Sequence, residues 1–521
     1  MASLYLPSST EKLWSMLTPA TTATILIVAT IGFVFLNRRK DDFPHANPPD
    51  TLSFKIKKQI EFFQNGLETL KSSRERFAGK PFRLLTNVGD VLVLPPHYAH
   101  SIRNEEGLSF SKSIVKDFHG DVPGFDPFMF PDHEAQILQN VVKKQLTKYL
   151  NTVTEPLSAE ATFAINLIYG ESPEWKEIPL QDSVLNLVAR LSSRIFLGEE
   201  LCRNEDWLTI TKDYTVDSFK AAVKLTVVPQ IFKTLMSYVF EECKIVYAHR
   251  QRAREIIQPV IDKRLALRQK SQRENQPIPK FNDAIEWAEE EKKGASYDAA
   301  DFQLSLSMAA IHTTTDLIST TMILLAQEPA IIEELREEMV RVLKAEGWQK
   351  SALFNMKLLD STIKEAQRIK PIEPLGMRRI AIKDVTLEDG VVIRKGQKTV
   401  VDGYRMQDPS IHANPGKFDI HRFLRIRETP GGSNKAQLVS STPDNPTAFG
   451  HGKHACPGRF FAANETKIAL CHLLLKYDWE VAPGSTVKPL IIGITHNIDP
   501  ESKLRYRRRK EEINLESLEF N

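Results

Sequence analysis

The sequence predicts a mainly helical α+β domain with a small β region, preceded by one N-terminal transmembrane helix. Residues 13–36 carry no charged side chain, and as a helix they would span about 36 Å, more than the roughly 30 Å of a hydrocarbon layer. Residues 301–328 form another long and largely apolar run that ends before Pro329, which indicates a second helix. Strand-like stretches are few and short.

The first apolar run also predicts how the chain is organised. Because the basic segment at residues 37–40 follows it directly, the positive-inside rule predicts a single crossing with residues 1–12 in the lumen and the rest in the cytosol. A cleaved signal peptide is the alternative, but the run is long and no small-x-small cleavage site stands out after it. Residues 37–53 are basic and then proline-rich, which favours a stiff linker before one domain at 54–521.

Composition narrows the class of protein. The 521 residues include 69 Lys and Arg against 66 Asp and Glu, a net charge of +3, which argues against nucleic acid as the main partner. Four sparse cysteines, at positions 202, 243, 456 and 471, do not form a disulfide framework and fit a reducing compartment.

Within the domain, the pattern predicts several elements. The helix over residues 301–328 has so few charges that we expect it to be buried on all sides. Two polar segments, 268–280 and 428–447, are expected to be surface loops. Short strands are expected at Val91–Pro96, Met377–Ile382 and Lys398–Gly403.

One short stretch concentrates unusual residues around a cysteine. In FGHGKHACPGRFF, residues 449–461, the glycines Gly450, Gly452 and Gly458 permit backbone conformations that bring N–H groups close to Cys456. A helical pattern follows, and a helix start together with N–H donors favours a thiolate. A buried, inert cysteine is the alternative. A zinc site is a second alternative. The spacing of its candidate ligands is unlike that of zinc sites, however: His451, His454, Cys456, Cys471 and His472.

The order of Phe449, Gly452, Cys456 and Gly458 resembles the haem-binding loop of the cytochrome P450 superfamily. This resemblance implies haem b as cofactor, with the Cys456 thiolate as axial ligand of the iron. It also implies that Phe449 lies against the loop. His454 occupies the place of a basic residue that faces a haem propionate.

The same resemblance covers charged residues earlier in the chain. Glu365 and Arg368 stand at i and i+3, which alone would suggest a surface ion pair. In the family this pattern joins an arginine, matched here by Arg422, in a buried network. Arg379 and Lys143 match positions that hold the propionates, although a structural arginine on an edge strand fits Arg379 as well.

Residues 309–314, AAIHTT, match the family's oxygen-activation segment on the long helix. Small side chains at Ala309 and Ala310 would leave room for dioxygen and substrate. Thr313 fits the hydroxyl position that assists proton delivery. His312 stands where an acid is usual, and it is either a second proton relay or a core histidine.

The resemblance extends over most of the chain after residue 53 and implies the cytochrome P450 fold. It also implies a monooxygenase that inserts one oxygen atom of O2 into an apolar small molecule. The sequence has no nucleotide-binding fingerprint, so the electrons are expected from an NADPH–cytochrome P450 reductase on the endoplasmic reticulum membrane. An isomerase or lyase with the same haem, and a non-enzymatic membrane haem protein, are the alternatives.

Several stretches are similar to fungal secondary-metabolism members of the ent-kaurene oxidase-like group. That similarity implies a polycyclic, terpenoid substrate in a pocket beside Ala309 and Ala310. Phe125 and Phe128 are expected to line or gate this pocket, with simple packing of an aromatic cluster as the alternative.

Overall fold

The computed structural model describes residues 43–49 and 55–518. The predicted transmembrane segment at 13–36 lies outside these residues. Within the described ranges, no helix is both long and apolar enough to cross a membrane. This finding includes the helix predicted at 301–328.

The described domain is mainly helical, as predicted. Its helices are α1 (Lys55–Phe77), α2 (Tyr98–Ile102), α3 (Phe110–Asp117), α4 (Ile137–Asn140), α5 (Leu150–Tyr169), α6 (Leu180–Phe196), α7 (Gly198–Leu201), α8 (Glu205–Thr226), α9 (Lys233–Val239), α10 (Glu241–Arg273), α11 (Ala284–Glu291), α12 (Ala299–Gln327), α13 (Ala330–Glu346), α14 (Lys350–Asn355), α15 (Lys357–Ile369), α16 (Arg422–Glu428), α17 (Ser433–Ala436) and α18 (Arg459–Lys476). Shorter helical turns lie at Asp126–Asp132, Val141–Leu146, Gln230–Phe232, Tyr404–Gln407 and Gly452–His454.

The strands are short and form four small sheets. They are β1 (Phe82–Thr86), β2 (Gly89–Leu94), β3 (Leu108–Ser109), β4 (Lys176–Pro179), β5 (Leu375–Ala381), β6 (Val385–Thr386), β7 (Val392–Ile393), β8 (Lys398–Asp402), β9 (Tyr477–Val481), β10 (Leu490–Ile492), β11 (Thr495–Asn497) and β12 (Lys503–Arg508). The largest sheet has the order β1-β2-β8-β5-β3, and the others are β4-β12-β9, β10-β11 and β6-β7.

The three strands expected from sequence, β2, β5 and β8, are confirmed and lie side by side in the largest sheet. β2 pairs parallel to β8, whereas β5 pairs antiparallel to it. The β5–β8 register shifts between Gly376 and Arg379, and Met377 has a positive φ of 49°. Such a bulge changes the direction of the side chains that follow it, which here include Arg379.

Helix α12 crosses the domain and packs against α6, α8, α10, α15 and α18. The Asp298 side chain caps its start by accepting a hydrogen bond from the N–H of Asp301 at 2.9 Å, and the helix ends two residues before Pro329. Most of its residues are buried, as expected. The prediction of burial on all sides is wrong, however, because Ala309 and Thr313 in its middle are exposed.

The predicted surface loop at 268–280 is also partly wrong. Helix α10 continues to Arg273, and the irregular segment starts only at Glu274. Arg264 and Arg268 on this last part of α10 form ion pairs with Asp283 and Glu286, which extend the helix beyond its apolar pattern. Segment 428–447 is mostly irregular as expected, with the four-residue helix α17 inside it.

Candidate functional site

The loop around Cys456 is closed by its own backbone. The N–H of Cys456 donates to the carbonyl of Phe449 at 2.8 Å, and α18 begins three residues after the cysteine. Gly450 and Gly452 have φ values of +70° and +78°, which side chains other than glycine rarely adopt. Phe449 itself packs against the main apolar core. The predicted glycine frame is therefore present at Gly450 and Gly452. The prediction is wrong for Gly458, which has a φ of −87° and ordinary contacts at the position of a Cβ atom.

Gly452 is also required by a close approach between two loops. A Cβ atom built on Gly452 would lie 2.5 Å from Cβ and 2.6 Å from the carbonyl oxygen of Arg103. The backbone N–H of Lys453 donates to that carbonyl and to the Asn104 side chain, at 3.2 and 2.9 Å. The segment after α2 thus fixes the cysteine loop from one side.

The sulfur of Cys456 is subject to two opposing effects. Burial is the larger one and raises the pKa of the thiol, while backbone N–H groups of Gly458 and Arg459 and the charge of Arg459 act in the opposite direction. The loop alone therefore does not produce a thiolate, in contrast to the expectation from the glycine frame and helix start. A metal cation bound at the sulfur would supply the missing charge, since a coordinating thiol is deprotonated.

Glu365, Arg368 and Arg422 meet in one buried network. The Glu365 carboxylate accepts hydrogen bonds from Nε and Nη2 of Arg368 at 2.8 and 2.9 Å, and from Nε of Arg422 at 3.0 Å. The side chains of Glu365 and Arg368 are both 0% exposed. The surface-pair alternative for Glu365 and Arg368 is therefore wrong.

The two arginines of this network also bind backbone carbonyls of the segment after β8. Arg368 donates to the carbonyls of Met406 and Pro415, at 2.9 and 2.7 Å. Arg422 donates to those of Ala413 and Lys417, at 2.8 and 3.1 Å. The two guanidinium groups thus hold a segment that has little regular structure beyond the helical turn Tyr404–Gln407.

Arg379 is buried without an anionic partner. It is 2% exposed, and its Nη1 donates to the carbonyl of Arg378 at 2.6 Å, while Nε and Nη2 have no hydrogen-bond partner among the described residues. Its guanidinium lies 5.7 Å from the ring centre of Phe110. Burial lowers the pKa of Arg379 to about 10, so it is still a cation at neutral pH. An isolated buried cation is costly, so an anionic group fits beside it.

His454 lies in the same neighbourhood, with its ring centre 6.5 Å from that of Phe110. Burial and then the charges of Arg379, Lys453 and Lys143 lower the pKa of His454 to about 4. The residue at the family's basic position is therefore a neutral imidazole at pH 7, which offers a hydrogen-bond donor rather than a positive charge.

The exposed part of α12 carries the predicted oxygen-side residues. The Thr313 hydroxyl donates to the carbonyls of Ala309 and Ala310, at 3.0 and 3.3 Å. Ala309 and Thr313 are one helical turn apart and share a face, and both are accessible although the helix on either side is buried. Small side chains and one hydroxyl thus line an accessible face inside the domain.

His312 points to a different neighbour. Its Nε2 lies 3.1 Å from the carbonyl of Lys212 on α8, and because a carbonyl only accepts, this nitrogen carries the proton. Burial lowers the pKa of His312, so the imidazole is neutral. This contact supports the core-histidine alternative, and a relay role stays a prediction.

Phe125 and Phe128 are packed rather than exposed. They are 0% and 1% exposed and belong to an apolar cluster with Trp207, Tyr214 and residues of α10. Phe128 also stacks on Phe118, with ring centres 4.9 Å apart. The packing alternative accounts for both side chains, and a role in the substrate pocket stays a prediction.

A basic cavity of about 510 Å3 lies on the outer side of the cysteine loop. Lys143 lines this cavity. The family resemblance implied for Lys143 only a position beside a haem propionate. The other lining residues are Arg103, Asn104, Ser441, His451, Gly452, Lys453, Ala455 and Arg459. Sequence reasoning missed Arg103 and Arg459, since only the contact between distant loops brings them together.

The described residues fit haem b. A single sulfur stands in a glycine loop, a buried guanidinium lacks an anion, and a helix face of small residues is accessible. By contrast, the described part of the chain contains no group of three His, Cys, Asp or Glu side chains able to hold a metal ion. Cys471 and His472 contact Met356 and Ser158 instead, so the zinc alternative has no support.

Comparisons with known proteins agree with this site. The family model described as Cytochrome P450 matches residues 52–501. The chain is 44% identical to the cytochrome P450 monooxygenase hepE of Aspergillus oryzae, over 94% of this chain and 90% of that one. It is 39% identical to the cytochrome P450 monooxygenase adrA of Penicillium rubens, over 95% and 97%.

A solved structure shows the same fold at low identity. The retinoic acid bound cyanobacterial CYP120A1 superimposes with a TM-score of 0.62 and 17% identity, covering 87% of this chain and 96% of that one. The family model and the relatives decide the family. The chain belongs to the cytochrome P450 family of haem-thiolate monooxygenases.

Proposed function

We propose that this monooxygenase oxidises an apolar polycyclic, terpenoid intermediate in fungal secondary metabolism, at the endoplasmic reticulum membrane. The observation that carries the proposal is the Cys456 loop, closed on Phe449 and fixed by Arg103. The reaction converts RH, O2, two electrons and two protons into ROH and water. Bound haem supplies the activation of dioxygen.

The residues that would hold the haem come from three parts of the chain. Cys456 supplies the sulfur ligand. The unpartnered Nε and Nη2 of Arg379 would bind its acidic groups, and the neutral imidazole of His454 would add a hydrogen bond. The Phe110 ring lies next to both side chains. Glu365, Arg368 and Arg422 act indirectly, because they hold the segment behind the loop.

Thr313 is proposed to assist proton delivery. Because its hydroxyl donates to the carbonyls of Ala309 and Ala310, the lone pairs of its oxygen are directed away from the helix backbone and accept from a water or an acid. Ser and Thr hydroxyls that bond back to earlier carbonyls also loosen a helix locally. A water or an acid that donates to this oxygen would therefore lie on the accessible face of α12.

The electrons are proposed to come from NADPH through a membrane-bound flavoprotein reductase. The basic cavity supports this partner, since Arg103, Lys143, Lys453 and Arg459 present positive charge next to the cysteine loop. Charge complementarity of this kind favours association with an acidic surface and orients it. The cavity therefore suits an electron donor that docks on the sulfur side of the haem.

Membrane association has support from exposed apolar side chains on the folded domain. Between the end of α8 and the end of α9, seven large apolar side chains are between 48% and 82% exposed: Val223, Val227, Ile231, Phe232, Leu235, Tyr238 and Val239. An exposed apolar surface of this size marks a contact with a protein or a lipid. With the apolar run at 13–36, we assign it to the bilayer, with the domain on the cytosolic side.

The substrate class rests on the accessible face of α12. Ala309 and Ala310 offer no polar side-chain atom, and the Thr313 hydroxyl lies one helical turn from Ala309. Such a face suits a bulky hydrocarbon skeleton. The relatives from Aspergillus and Penicillium species support a fungal oxidation.

The cysteine loop gives a prediction with a matched control. Gly452→Ala should lower the haem content of purified protein severalfold, because the new Cβ would collide with Arg103. Gly450 has a similar positive φ, but a Cβ atom at this position would lie 3.6 Å from its nearest neighbour. Gly450→Ala should therefore lower the stability only by the backbone strain of about 1–2 kcal/mol. Haem absorbance per mole of protein tests this, and equal losses in both variants would argue against the collision.

Cys456→Ser should abolish the strongly red-shifted Soret band of the reduced, carbon monoxide-bound protein, because a serine oxygen does not replace the thiolate. Cys471→Ala, in the buried part of α18, should keep this band. The wild-type spectrum tests the proposed function itself. A band typical of histidine-ligated haem, or none, in folded wild-type protein would overturn it.

Thr313→Ala should leave NADPH consumption in a reductase-coupled assay largely intact while product per NADPH falls, since proton delivery typically contributes a factor of about 10²–10⁴. Thr315→Val is the control: Thr315 is buried on the same helix and its hydroxyl has no partner among the described residues. Unchanged coupling in Thr313→Ala would exclude the role. Product formation in the wild type also separates this enzyme from a non-enzymatic haem protein.

The full-length protein should float with phospholipid vesicles. Protein without residues 1–36 should bind more weakly. In that shortened protein, Ile231→Glu with Leu235→Glu should reduce binding more than tenfold, since burying each apolar side chain is worth about 1.5–3 kcal/mol. Leu167→Glu, at an exposed position on α5, is the control and should have no effect. If the Ile231→Glu/Leu235→Glu variant and the Leu167→Glu variant bind vesicles equally well, the membrane contact lies elsewhere on the domain.

A further inference from the structure

The accessible face of α12 continues past Thr313 to an acidic side chain. Ala309, Thr313 and Asp316 lie on this helix at a spacing that puts their side chains within about 60° of one another around its axis. The Asp316 side chain is 18% exposed, whereas Thr315 and Ile318 beside it are buried. A carboxyl group therefore stands at one end of the face that carries the small side chains.

A lysine that follows α15 pairs with this acid. The Lys370 Nζ donates to Oδ1 of Asp316 at 2.7 Å, and the lysine side chain is 11% exposed. Oδ2 of Asp316 has no hydrogen-bond partner among the described residues. Burial raises the pKa of Asp316, while the charges of Lys370 and His496 act against this effect. Because a lysine is bonded to it, Asp316 is a carboxylate, and Oδ2 is an open acceptor.

His496 on β11 adds a second acceptor beside this pair. Its Nδ1 lies 3.0 Å from the carbonyl of Pro371, and because a carbonyl only accepts, this nitrogen carries the proton. Burial lowers the pKa of His496, and the nearby charges of Lys370 and Asp316 act on it in opposite directions. The imidazole is therefore neutral at pH 7, and its Nε2 accepts hydrogen bonds.

The segment after Lys370 is fixed to β11 by further hydrogen bonds. The backbone N–H of His496 donates to the carbonyl of Ile372 at 2.8 Å. The Thr495 hydroxyl donates to Oε1 of Glu373 at 3.2 Å, and Arg378 donates to Oε2 at the same distance. These polar groups are thus held in place by the protein itself, which lowers the entropy cost of binding a ligand to them.

We propose that Asp316, Lys370 and His496 form a polar subsite that binds a hydroxyl group of the substrate. This inference rests on the proposed function, because it specifies the substrate of that same site. The hydrocarbon skeleton would lie along Ala309 and Ala310, with its hydroxyl group at the Asp316 end of the face. The substrate is then a terpenoid alcohol, so a reaction that introduces a hydroxyl group must precede this oxidation.

The donors and acceptors of the subsite select an alcohol over other oxygen groups. An O–H group donates to Oδ2 of Asp316 or to Nε2 of His496, and its oxygen accepts from Lys370. A ketone or an ether only accepts, so it would leave both acceptors of the protein unpaired. A carboxylate would add a second negative charge next to Asp316.

Equilibrium dialysis with the haem-loaded full-length protein tests the subsite. The ligands are two sets of three: cedrane, cedrol and cedryl methyl ether, and ent-kaurene, ent-kaurenol and the methyl ether of ent-kaurenol. Since the hydrogen bond involves a charged group, at least one alcohol should bind about tenfold or more tightly than both its hydrocarbon and its ether. If no alcohol is preferred over both, the proposal is overturned.

A double variant connects the preference to the ion pair. Asp316→Leu with Lys370→Leu removes both charges together, so no unpaired charge is left behind. It should bind the alcohol and its ether about equally. The control is Glu160→Leu with Arg203→Leu, which removes an ion pair between α5 and the segment after α7 and should keep the preference. A pair that only stabilises the fold, or that holds only water, would change the affinity for all three ligands alike.

A single variant keeps the test valid if the double variant does not fold. In His496→Asn, the amide can still donate to the carbonyl of Pro371, but the acceptor at Nε2 is lost, so the preference for the alcohol should fall severalfold. An unchanged preference in both variants would overturn the proposal. Dialysis requires no turnover, so the subsite can fail while the carbon monoxide spectrum and product formation still establish the monooxygenase.

Discussion

The ion network on Glu365 is the interaction on which the sulfur side of this molecule depends. One carboxylate is shared by two guanidinium groups, and the remaining donors of both arginines bind carbonyls of the irregular segment between β8 and α16. Removing one partner of such a buried pair leaves an unpaired charge and typically costs about 3–5 kcal/mol. The segment has no strand ladder of its own, so the guanidinium donors that this carboxylate positions hold its course.

Sequence patterns predicted the parts of the structure that depend on local order. Apolar runs predicted β2, β5, β8 and α12, and the spacing of Glu365 and Arg368 predicted that they share a helix face. They did not predict the contact of Gly452 with Arg103, because the two residues are far apart in the chain. The same holds for the accessible face of α12. Its residues are as apolar as their neighbours, and only the arrangement of the surrounding helices decides which side is packed.

Buried arginines in this protein differ in whether their charge is satisfied, and the difference locates the site. Arg368 has a carboxylate and two carbonyls, whereas Arg379 has one carbonyl and two nitrogens without partners. Because a folded chain rarely leaves a buried cation unpaired, Arg379 indicates where an anionic ligand group belongs. The bulge at Met377 matters for this reason, since it lies in the strand just before Arg379.

Glu365 and Glu465 show how environment, rather than residue type, sets the chemistry of a carboxyl group. Both side chains are completely buried. Glu365 faces two guanidinium groups, which compensate its negative charge. Glu465 faces hydroxyls only, and burial without a cation keeps its proton in place near neutral pH. The first fixes the segment behind the sulfur ligand permanently. The second accepts a hydrogen bond from the Ser192 hydroxyl at 2.7 Å and so ties α18 to α6.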